Sequence, residues 1–74
     1  MKENERQKIL SVFSNGKKML CYYEAIGMNR LSDFRGGDAN EIAMRINIYL
    51  GGNHMNKLGV QAIQNVIDIA NEGV

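Results

Sequence analysis

The sequence predicts an all-α domain of four to five short helices. Apolar residues recur at helical intervals, and no alternating run exceeds Asn47-Ile48-Tyr49. The chain holds no proline and eight glycines, so helices run uninterrupted and glycine makes every stop. At 74 residues there is room for a single domain, 1–74, with one small core.

The first helix is expected from about Asn4 to Phe13, with Ile9, Leu10, Val12 and Phe13 inward. Asn4 would be its N-cap and Gln7 the capping-box partner. Ser14-Asn15-Gly16 breaks it. A second helix follows from Lys17 to Ile26, carrying Met19, Leu20, Tyr22, Tyr23 and Ile26 on one wide face. Gly27 stands where a helix end favours a left-handed residue. Leu31-Ser32-Asp33-Phe34 reads as a short turn capped by Ser32, stopped by Gly36-Gly37.

The fourth element has the plainest signature. Asp38 supplies a capping oxygen and Glu41 follows three residues later. Ala39, Ile42, Ala43, Ile46 and Leu50 then fall on one face, and Gly51-Gly52 ends it. Asn56 caps a last helix whose stripe is Val60, Ile63, Val66, Ile67 and Ala70, widened by Leu58, Ala62 and Ile69. Its width predicts burial on two sides, the second by another subunit, with Val60, Ile63 and Ile67 as the interface of a dimer. The expected core is Leu10, Phe13, Leu20, Tyr23, Ile42, Ile46, Leu50, Ile63 and Ile67.

Composition excludes several function classes. The net charge is +1, which fits neither a polycation nor an acidic mimic of nucleic acid. A single cysteine, Cys21, forms no internal disulfide and points to a reducing cytoplasm; as part of an apolar helix it is expected in the core or at its boundary. No segment is long and apolar enough to span a membrane, and no signal core follows the charged N-terminus. Catalysis needs convergent groups, and the chain offers one histidine, one cysteine and scattered carboxylates. His54, beside Gly52 and Asn53, reads as a solvated loop residue. No metal-ligand spacing or phosphate-loop motif is present, so neither enzyme activity nor a cofactor is expected. The methionines read as adaptable core filling.

Charge is uneven along the chain. Residues 1–18 carry five Lys and Arg against two Glu. Within them, Asn15-Gly16-Lys17-Lys18 places two cations in the first turn of the second helix. That end disfavours positive charge by about 0.3–1 kcal/mol per group. Either the lysines are merely solvated, or an anion belongs there, held by free amides and ammonium groups.

The stretch Phe13-Ser14-Asn15-Gly16-Lys17-Lys18-Met19-Leu20, with Ile26-Gly27-Met28, resembles a helix-hairpin-helix unit. Gly27 follows Gly16 by eleven residues, as in that pattern. Leu31 to Phe34, Asp38 to Glu41 and Arg45 extend the likeness to small bacterial proteins of the pathogenicity-locus and competence-regulator C-terminal type. The resemblance covers roughly residues 9–71. It departs at the hairpin, where Ser14 replaces the first glycine and Asn15 an apolar residue. It implies a helix-hairpin-helix-like fold in which Asn15, Gly16, Lys17 and Lys18 contact the nucleic-acid backbone, weakly and without reading bases. The competing reading is a protein-interaction module, such as an adaptor, an inhibitor or a phage- or plasmid-type accessory protein. It would act through an apolar helix surface.

Overall fold

The computed structural model describes residues 1–72 and is all-helical. Its elements are α1 (Glu3–Ser11), α2 (Lys17–Ala25), a 3-10 turn (Leu31–Phe34), α3 (Ala39–Leu50) and α4 (Lys57–Asn71).

The two long helices form the base. α4 packs along α3 on one side and against the 3-10 turn on the other, and α1 and α2 close over them as a hairpin. Ile46, Ile63, Val66 and Ile67 meet Ile9, Leu20, Tyr23 and Phe34 in one core. Tyr23 and Phe34 contact edge to face, centroids 4.8 Å apart. The centre of the α4 stripe is therefore covered by the chain itself, while Leu58 at its start is 74% exposed and Val60 and Ile69 are half-buried. Ile63 and Ile67, expected at a subunit interface, are 0% and 1% exposed; only Val60 of that trio reaches the surface, half-buried.

The caps explain the boundaries. Asp38 accepts from the amides of Asn40 and Glu41, and Asn56 from that of Gly59. α2 ends as a Schellman motif: Gly27 has φ +86°, and the Met28 amide donates to the Tyr23 carbonyl. Two expected caps are corrected. Asn4 lies inside α1, whose N-cap is Lys2, and Gln7 donates instead to the Glu3 carboxylate at 2.8 Å. Ser32 does not cap the 3-10 turn. Asp33 accepts from the amides of Asn29 and Arg30, and Glu5 on α1 accepts from that of Leu31.

α1 also stops two residues before Phe13, which leaves Phe13 82% exposed rather than in the core. Leu10 and Leu50 pack at the core's edge, and Cys21 is exposed. Among the methionines, Met28 is core, Met19 and Met55 pack against it, and Met44 is 61% exposed.

Candidate nucleic-acid interface

The α1–α2 connection is built around Asn15, not offered by it. Asn15 is 4% exposed. Its Nδ2 donates to the carbonyls of Phe13 (3.1 Å) and Ala62 (2.9 Å), and its Oδ1 accepts from the Tyr23 hydroxyl at 2.5 Å. Asn65 on α4 donates to the same Phe13 carbonyl at 3.1 Å. Every polar atom of the Asn15 side chain is thus engaged within the protein. It is a positioning residue for the loop, and its main-chain amide, expected to meet phosphate, donates to the Val12 carbonyl at 3.1 Å. Burial pushes the Tyr23 phenol above its ordinary value of 10.0, and its donated hydrogen bond needs the proton. The folded state therefore favours the protonated phenol more than the unfolded chain does. Stability should be full below pH 10 and decline above it, as checked by thermal melts across the alkaline range.

Ser14 takes φ +69°, a left-handed conformation unusual for a residue with a Cβ. It stands where the hairpin pattern has glycine. Gly16 is the N-cap of α2 and has no side chain to offer its amides, so the N–H groups of the first turn have no side-chain cap. Lys17 and Lys18 are exposed.

The fold brings a second helix start to the same place. Lys18, Met19 and Tyr22 of α2 line one cleft with His54, Asn56 and Gly59, at the entry to α4. Lys57 occupies the first turn of α4. Neither α2 nor α4 has an acidic residue in its first turn. Among the described residues Lys17, Lys18 and Lys57 form no ion pair; those present join Met1 and Arg6 to Glu24, and Arg6 to Glu3. The His54 loop is fixed by Asn47 of α3, whose Oδ1 accepts from the amides of His54 and Met55 at 2.9 and 2.8 Å.

Residue-by-residue reading missed His54, Tyr22 and Lys57. The signal was present twice: a lysine follows a cap at both Gly16-Lys17 and Asn56-Lys57, the sign that a helix start disfavours. Arg35 stays outside the group. Its Nε donates to the Ala70 carbonyl, as Arg45 donates to that of Ile26, so both arginines serve helix C-termini. No described group of side chains could hold a metal ion, and no described helix is long and apolar enough to cross a membrane.

Compared with known protein families, curated proteins and solved structures, the chain matches none.

Proposed function

We propose that this protein is a small non-enzymatic module that binds the nucleic-acid backbone without sequence preference. One observation carries the reading. Two helix starts that lack acidic residues flank a single cleft, and their first turns carry Lys17, Lys18 and Lys57, with His54 and Tyr22 beside them. Phosphate groups suit such a place, because amides and ammonium groups both favour negative charge there. The left-handed Ser14 supports the likeness to a helix-hairpin-helix loop, since it takes a conformation open to glycine. The contacts come from the lysines and from main-chain amides at Gly16 to Lys18.

Replacing both Lys17 and Lys18 with Glu should abolish duplex binding and leave the melting temperature equal or slightly higher, because acidic residues suit that helix end. Wild-type binding should weaken as salt rises, with a shallow slope set by a few displaced counterions, and should not change with base sequence. Absence of binding to duplex or single strand at about 50 mM salt and high micromolar protein would end this reading.

Interaction with another protein is the second reading. It is favoured by the exposure of three large apolar residues on one helix, Met44 (61%), Ile48 (74%) and Tyr49 (60%) of α3.

A further inference from the structure

An uncharged groove lies between α3 and the entry to α4. Met44 and Ile48, one turn apart, border this groove, floored by the half-buried Met55 and Val60, with Asn40 and Asn47 along it. No charged residue lines this groove. It continues into a second depression that shares Asn40, Met55 and Val60 and adds a single charge, Lys57, at its rim. In a chain with 23% charged residues, a groove lined by ten residues without one charge stands apart.

We infer that this face joins two copies of the chain about a two-fold axis. Such a contact is self-complementary: each residue faces the same surface of its partner. A charge near the axis therefore meets its own sign, which costs free energy in a desolvated contact. A face with apolar side chains and asparagines escapes that penalty, because amides donate and accept equally well. A charged partner would instead leave its ionised groups desolvated against a surface with nothing to pair them. The face is also continuous with the cationic cleft, through Met55 and Asn56. Pairing would bring two clefts together, and that consequence rests on the backbone-binding reading proposed above. A single cleft with about two or three cationic contacts binds weakly; linking two raises the affinity for one long duplex by roughly 10²–10⁴.

Sedimentation of the full chain should show a concentration-dependent passage from monomer to dimer. Ile48→Glu and Ile48→Lys should each remain monomeric with an unchanged helical spectrum, since Ile48 is 74% exposed and contributes little to the core. Mixing the two variants should restore a dimer, because opposite charges then face each other across the axis. A wild type that is strictly monomeric at high micromolar concentration overturns the inference. So does a dimer that survives in Ile48→Glu and in Met44→Glu, or a variant mixture that stays monomeric. Duplex titration separates the two proposals. A dimer that binds no duplex supports the interface and refutes the cleft. A strict monomer that binds duplex, and loses it on replacing Lys17 and Lys18, refutes the interface alone.

Discussion

Truncating Ile46 to alanine should cost about 2–5 kcal/mol and leave the chain largely unfolded at ambient temperature. Ile46 is fully buried at the centre of α3, in the cluster that holds Ile63, Val66 and Ile67 of α4 and Tyr23 of α2. The lost methyl and methylene groups leave a cavity where α3 meets α4. Small domains hold little stability in reserve, so a loss of this size reaches most of the total. Urea titration followed by circular dichroism measures it. A variant that melts like the parent would place the core elsewhere. Ile48→Ala, two residues on but exposed, is the matched control and should change stability by less than about 0.5 kcal/mol.

Asn15→Ala should destabilise by about 1–3 kcal/mol although it removes no apolar packing. The substitution strands the Tyr23 hydroxyl, which is buried and has Asn15 as its acceptor, and cuts the link from the hairpin to Ala62 of α4. Asn15→Asp is the sharper variant. It keeps the acceptor for Tyr23 but faces the carbonyls of Phe13 and Ala62 with an oxygen instead of an N–H donor. It should be as harmful as alanine or worse. The double variant Asn15→Ala with Tyr23→Phe should recover part of the loss, because no buried hydroxyl is then left unpaired. Comparing the melts of all three separates the hydrogen bond from the volume it fills.

These two residues mark how far the sequence could be read. Ile46 belongs to a stripe with helical spacing between an Asp38 cap and a Gly51 stop, and every part of that local signal agrees. Burial on the inner face of α3 was therefore legible. Asn15 gave the opposite impression, because a polar residue beside Gly16 and two lysines suggests a solvent-facing loop. Its burial depends on Ala62 and Tyr23, partners that local pattern does not supply. Phe13 shows the same limit from the other side. It was expected inward, but α1 ends at Ser11 and the chain turns before the aromatic ring can reach the core.

The last helix was legible in its stripe but not in what packs against it. Its stripe is wider than one packing face needs, which suggested a second subunit over Val60, Ile63 and Ile67. The 3-10 turn takes that role: Leu31 and Phe34 are buried, and the turn packs on α4. Large apolar residues are left open on α3, where Met44 and Ile48 fall outside the stripe that organises the helix, and at Leu58 in the first turn of α4. The candidate cleft was half legible. Lys17 and Lys18 stand out by their sign at a helix start, whereas His54 and Tyr22 join them only once the Asn53–Asn56 loop is folded back by Asn47.

The division of labour among the cations has a chemical consequence. Arg6, Arg35 and Arg45 are tied to carboxylate or carbonyl groups of their own chain, while the cations at the two helix starts, Lys17, Lys18 and Lys57, are primary amines. A guanidinium matches the paired acceptors of guanine in a planar fork; an ammonium is a point charge without that geometry. Under the backbone-binding reading proposed above, the charge that meets the ligand is therefore blind to base identity. It can also be erased by acylation, which neutralises amines and leaves guanidinium groups untouched. Mild acetylation of the whole chain should strip the cleft of its positive potential while Arg45 and Arg35 go on closing the ends of α2 and α4.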